Sequence, residues 1–293
     1  MIPDSDSDER PPLTFELAFV LAMLAPLAHG LCVALLWALG FGADREYPVH
    51  VICRKCPAAL APETEVLGGN RVFNFAAIER KMDGWDMVGP MGEGWSWPEL
   101  DLVKPEEGGA SRAERDALKL MAVILQHTDS KAGQQRLVCL DKEAKPSKAE
   151  RSTGLRPCDR PFMMINDLGN TFGAANQYNR PGLSVDLERW AKTPVWKDAR
   201  GCVANMHRSV TGTLEDPPIS EEGRAFLASL LTQLSDAQMR ALFDVARFPD
   251  RTIDGKPGAT GASVAAWAAA LRDKIDQVAQ RSCPVDRASL SER

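Results

Sequence analysis

The sequence predicts an α+β fold in which a small sheet-containing N-terminal part is followed by a mostly helical C-terminal part. Three observations predict it: apolar alternation in RVFNFAAIERK behind a strand-like YPVHVIC, a capped amphipathic run after Ser111, and three helical runs in the last third. Taken in order, LAHGLCVALLWALG at 27–40 reads as an apolar helix closed by Gly40, a residue suited to the left-handed turn at a helix end. A strand is expected at 47–53, then a Pro and Gly loop. RVFNFAAIERK at 71–81 follows, where Phe73, Phe75 and Ala77 alternate as on a half-buried strand. The loop MVGPMGEGWSWPELD is rich in Gly, Pro and Trp, and its aromatics read as packing anchors. Ser111 and Glu114 form a capping box ahead of RDALKLMAVILQ, whose Leu118, Met121, Ala122 and Leu125 share one face; this helix should end directly at His127. In the last third, Ser220 with Glu221 and Glu222 starts one helix and Ser235 with Gln238 caps a second. Val264, Trp267, Leu271, Ile275 and Val278 mark a third.

With 293 residues, 44% of them hydrophobic, the chain can bury a core as one large domain or two small ones. Its net charge of -5 comes from 35 basic and 40 acidic residues without a run of like sign, so nucleic acid is excluded as an expected partner. Seven cysteines leave the redox setting open. Cys139 and Cys158 flank one loop and are candidate disulfide partners. Cys53 and Cys56 form a C-x-x-C that, with Cys202 and His207, is a candidate zinc knot; buried thiols are the blander reading.

Between Leu17 and Phe41 no Lys, Arg, Asp or Glu occurs, and about 20 apolar residues suffice to cross a bilayer. The segment 17–41 is therefore a candidate membrane contact, with Pro26, His29 and Gly30 interrupting it. The acidic MIPDSDSDER before it is the reverse of a secretory n-region, and Arg45, Arg54 and Lys55 would hold the rest of a spanning chain in the cytoplasm. The competing expectation is a helix buried in the domain. Three locations follow from these alternatives: membrane-associated, extracytoplasmic with disulfides, or soluble and cytoplasmic.

The residues that suggest chemistry are HTDSKAGQ at 127–134 and DLG at 167–169. A capped helix, then His127-x-Asp129, Lys131 and Gln134, then two short hydrophobic runs and Asp167-Leu168-Gly169, resembles the C-terminal lobe of protein kinases. Thr128 and Gln134 stand where that family has Arg and Asn, and Leu168 where it has Phe. The resemblance implies ATP and Mg²⁺ as cofactors, and a protein or small-molecule hydroxyl as the phosphoryl acceptor. It gives Asp129 the position beside that hydroxyl, with His127 in the same catalytic loop. Lys131 would lie near the transferred group, Gln134 and Asp167 would be the metal ligands, and Gly169 would free the backbone after them. RLVCL at 136–140 and PFMMI at 161–165 would be paired strands, and DKEAKPSKAERSTGLRPCDR a surface insertion between them.

Upstream, the resemblance makes 27–85 a partial N-terminal lobe and 86–293 the helical lobe, after a leader at 1–26. Glu79, in the ERK at 79–81, would lie in the hinge near adenine. The family's Gly-rich loop and its strand lysine, paired with a helix glutamate, have no counterpart; His29 is the only ionisable group in 27–40. Three readings follow: a kinase-like phosphotransferase, a catalytically dead kinase-like binding module, and a membrane-attached interaction protein. In the last, Asp129 and Asp167 merely cap turns.

Overall fold

The computed structural model describes residues 26–54, 65–67, 70–89, 92–141, 158–169, 171–173, 185–198, 200–207, 209–250 and 262–284. Helix α1 (Pro26–Ala38) packs on the antiparallel pair β1 (Arg45–Cys53) and β3 (Asn70–Arg80), and β2 (Glu65–Leu67) lies on the other edge of β3. Strands β4 (Trp85–Asp86), β7 (Gln135–Cys139) and β8 (Pro161–Ile165) form a second antiparallel sheet in the order β4-β7-β8. A two-stranded ribbon of β5 (Val88–Gly89) and β6 (Gly92–Glu93) completes the strands among the described residues. Gly42 links the sheets: its carbonyl accepts from Ile165 N at 3.1 Å, and the Phe162 ring stands where a Cβ of residue 42 would be.

The helical part consists of α2 (Arg112–Leu125), α3 (Leu187–Lys192), α4 (Glu221–Leu231), α5 (Asp236–Val245) and α6 (Val264–Ala279). The expected caps are present. Ser111 with Glu114 and Ser235 with Gln238 form complete capping boxes, and Ser220 accepts from Gly223 N. Each box satisfies main-chain donors that a helix start otherwise leaves open. Gly223 lets α4 come close to α2, since an added Cβ would collide with Asp116; in return Asp116 Oδ2 accepts from Ser220 N at 3.0 Å. Phe172, Trp190, Phe243, Phe248 and Trp267, all buried, meet edge to face, tilted or, for Phe243 and Trp267, stacked, with centroids 4.8 Å apart for Phe248 and Trp267. Such contacts add about 0.5–1.5 kcal/mol per pair beyond the area they bury.

The fold is thus α+β, with small antiparallel sheets and several helices. Trp95, Trp97, Trp190 and Trp196 are core residues, as the sequence suggested. Among the described residues no helix is long and apolar enough to cross a membrane. For the described part this corrects the spanning expectation in favour of a buried helix: residues 26–38 form a 13-residue helix whose Leu31, Cys32, Leu35 and Leu36 fill the core. Residues 17–25 lie outside the described part.

The zinc knot is corrected as well. Cys202 is bonded to Cys283 and Cys53 is itself disulfide-bonded, so neither offers a thiolate, while Cys56 lies outside the described residues. Cys139 and Cys158 form the expected disulfide. Closing a longer loop removes more freedom from the unfolded chain. Losing Cys202–Cys283, with its separation of 81, should cost about 1 kcal/mol more than losing Cys139–Cys158, with 19, within the usual range of about 2–5 kcal/mol. Urea unfolding of the paired Cys→Ser variants measures both.

Lys274 is a buried cation of the helical part. It donates to Thr193 O at 2.7 Å, its ammonium lies 5.0 Å from the Trp190 ring centre, and burial lowers its pKa from 10.5 to about 8. Between those two pH values the unfolded chain binds the proton that the folded chain has released, so this group makes stability rise with pH. From pH 7.5 to 9.5 the wild type should gain unfolding free energy relative to Lys274→Met, measured by denaturant midpoints. A constant difference contradicts the assignment.

Candidate functional site

The site begins where α2 ends. Residues 116 to 130 are buried without interruption, so the chain leaves the helix inside the protein. Gln126 makes the exit in the left-handed region, at φ 54°. Its side-chain amide donates to Asn205 O at 2.8 Å and Val123 O at 3.0 Å, and its Oε1 accepts from His207 N at 3.3 Å. Residues 209–214 clamp the loop that follows: Thr128 O accepts from Ser209 N, Ser130 O accepts from Thr213 N and Oγ1, and Ser130 Oγ accepts from Leu214 N.

His127 is fully enclosed, packed edge-on to Trp97 at 6.2 Å between ring centres. Its Nε2 lies 3.2 Å from the side-chain amide of buried Gln135. With Gln135 Oε1 accepting from His127 Nε2 and from Trp97 Nε1, its Nε2 donates to the carbonyls of Trp95 and Lys131, and all four groups are satisfied. His127 is thus enclosed by Trp97 and Gln135 and has no exposed surface. Sequence reasoning missed Gln135; the two buried tryptophans upstream were the available signal that polar side chains here meet a closed core.

Asp129 is 4% exposed, and its Oδ2 accepts from Gln134 Nε2 at 2.8 Å and Lys131 Nζ at 3.1 Å. A single 3-10 turn, Ala132–Gln134, then leads into β7. The Gln134 carbonyl accepts from both Asn166 N at 2.9 Å and Asp167 N at 3.0 Å, fastening the chain after β8 to the chain before β7. Asp167 Oδ1 accepts from Gly169 N at 2.8 Å, an Asx turn, and Leu168 is buried behind it. Phe172 N then donates to Leu125 O, closing the loop on the end of α2. Asp129, Lys131, Gln134, Asp167 and Gly169 therefore share one end of the β7–β8 hairpin.

Glu79 belongs to a different cluster. Its carboxyl is pushed above the ordinary carboxylate value, first by burial and then by its hydrogen bond to Asp44 and the charge there. Fully buried Asp44 also takes Met82 N at 2.7 Å and Arg136 Nη1 at 3.1 Å, while Arg136 Nε reaches Asp86 at 2.6 Å. Burial works against the Arg136 charge, but Asp86 and Asp44 more than offset it and hold its pKa up. At the opposite end of the hairpin from Asp129, a cleft of about 430 Å³ opens beside Leu140 and Phe162.

For a metal, this end of the hairpin offers the carboxylates of Asp129 and Asp167 and the amide oxygen of Gln134. Among the described residues the one group of three potential ligands is Cys139, Asp141 and Cys158, where the disulfide has consumed both thiols. One or two carboxylates fit Mg²⁺, which keeps several waters and binds substrate phosphates, and do not make a closed protein cage. Gln134→Ala removes a hydrogen bond to a buried carboxylate and should cost about 1–3 kcal/mol of stability in urea unfolding. Gln134→Asn, one methylene short of Asp129, should restore little of it. The chain matches no known protein family, and no curated protein matches it in sequence.

Proposed function

We propose that the chain is a kinase-like phosphotransferase that moves a phosphoryl group from ATP to a hydroxyl of a protein or small-molecule acceptor. One observation carries this reading: Gln134 joins the two carboxylate loops, its side chain on Asp129 and its carbonyl on the amides of Asn166 and Asp167. Phosphoryl transfer asks a protein mainly to position two reactants and neutralise charge, and this one turn ties together the two loops that carry the carboxylates.

In this reading Asp129 takes the acceptor hydroxyl's proton while that oxygen bonds to the γ-phosphorus and the bond to the ADP oxygen breaks. Side-chain exposure is 6% for Asp129 and 45% for Lys131, so the acceptor reaches the carboxylate past the lysine ammonium, which also faces the transferred group. Asp167 and the Gln134 amide oxygen would hold Mg²⁺, which when bound neutralises phosphate charge. The Asx turn at Gly169 keeps the Asp167 side chain in one orientation. Glu79 remains the candidate near adenine by resemblance alone. The two described disulfides support an oxidising, extracytoplasmic setting over a cytoplasmic one.

A second reading, a catalytically dead kinase-like module, is favoured by α1, whose described side chains include no acidic residue to pair with a phosphate-binding lysine. One experiment separates the two. The phosphotransferase reading expects Mg²⁺-dependent ADP release that falls about 100-fold or more in Asp167→Ala and Asp129→Asn. Thermal stabilisation by nucleotide without turnover supports the dead module. No turnover and no stabilisation with any divalent metal removes both.

A further inference from the structure

The cleft at the far end of the hairpin belongs to neither carboxylate cluster. Its walls come from three places: the turn after α1, the end of β3 with the residues that follow, and the turn end of β7–β8. Trp37, Phe41 and Phe162 supply aromatic surface, and Arg45, Arg80 and Lys81 supply cations. Asp83 also lines it, leaving two formal positive charges in a chain whose total is -5.

The strand register makes this concentration of charge unusual. Arg45 and Arg80 are directly opposite one another across β1 and β3, an arrangement in which like charges destabilise a sheet. Alternation sends their neighbours the other way: Asp44 and Glu79 turn to each other and to Arg136, and so cannot serve the two outer arginines. Among the described residues no carboxylate, Asp83 included, is ion-paired with Arg45 or Arg80, while the Lys81 charge also acts on Glu79. Arg45 is instead held over the ring of Trp37, 4.7 Å from its centre, and that ring is 54% exposed. Two arginines opposite one another in the strand register, both lining about 430 Å³ of space beside aromatic walls, form half of a recognition site.

We propose that this cleft binds a small phosphomonoester, its dianion bridging Arg45 and Arg80 with Lys81 beside it and its organic part against Phe41 and Phe162. A dianion answers two arginines lining one cleft better than a carboxylate, because each arginine can make a two-pronged contact with separate phosphate oxygens. The site is independent of the nucleotide reading of Asp129 and Asp167, which stand at the other end of the hairpin.

Calorimetric titration of the full chain with phenyl phosphate and with inorganic phosphate tests it. Phenyl phosphate should bind, and more tightly than inorganic phosphate, because only it can use the aromatic walls. Arg45→Gln and Arg80→Gln should each weaken it roughly 10- to 100-fold, the loss expected for a charge-assisted contact. Asp167→Ala should leave it unchanged. Arg80→Gln should also raise the melting temperature of the ligand-free protein by roughly 1–2 °C, since it relieves the like-charge pair; an arginine with only a structural role would lower it. Failure of phenyl phosphate to bind, affinity unchanged in both arginine variants, or loss of binding in Asp167→Ala overturns the proposal.

Discussion

Everything around the candidate site depends on α2 being buried from Asp116 to its end and beyond. A helix exposed on one side can hand its last carbonyls and the following loop to water. Here the chain is enclosed from Asp116 to Ser130, so each polar group of Gln126-His127-Thr128-Asp129-Ser130 needs a partner inside the protein. Distant segments supply Asn205 for Gln126 and Thr213 and Leu214 for Ser130, and the turn and strand that follow supply Gln134 for Asp129 and Gln135 for His127. A closed polar network of this kind fixes geometry, because a half-satisfied one would cost more than an apolar core. The loop is thus rigid by necessity, a useful property in a segment that presents a carboxylate.

The hairpin of β7 and β8 divides the molecule's charged groups. Its Gln135 end carries Asp129 and Asp167, and its Cys139 end carries the disulfide and the cationic cleft. Between them Arg136 crosses to Asp44 and Asp86, tying the connection after α1 and strand β4 to the middle of the hairpin. Removing either acid would leave the guanidinium poorly compensated in a mostly buried place, and breaking such a pair generally costs more than the pair contributes. The network therefore holds the two sheets in one relative position.

What the sequence revealed follows the range of each signal. Capping boxes at Ser111 and Ser235 depend on residues three apart, and the structure contains both. The hydrophobic runs 136–140 and 161–165 pair as expected within a residue, since strand patterning is local and only one partner lay nearby. Cys139 and Cys158 were legible because they flank one loop. Cys202 and Cys283 were not: 81 residues separate them, and nothing near either names the other. For the same reason Arg136 carried no hint of Asp44, 92 positions away. His127 shows a different limit. Its residue type suggests chemistry, whereas its enclosure by Trp97 and Gln135 is a tertiary fact.

The Cys202–Cys283 bond closes a covalent ring containing α4, which packs on α2, and α5 and α6, which carry Phe243 and Trp267 of the aromatic core. A single backbone cut anywhere inside that ring would not release a fragment. The nicked molecule would run as one species on a denaturing gel until a thiol reagent opened the bond, and its helices would stay within reach of one another for reassembly.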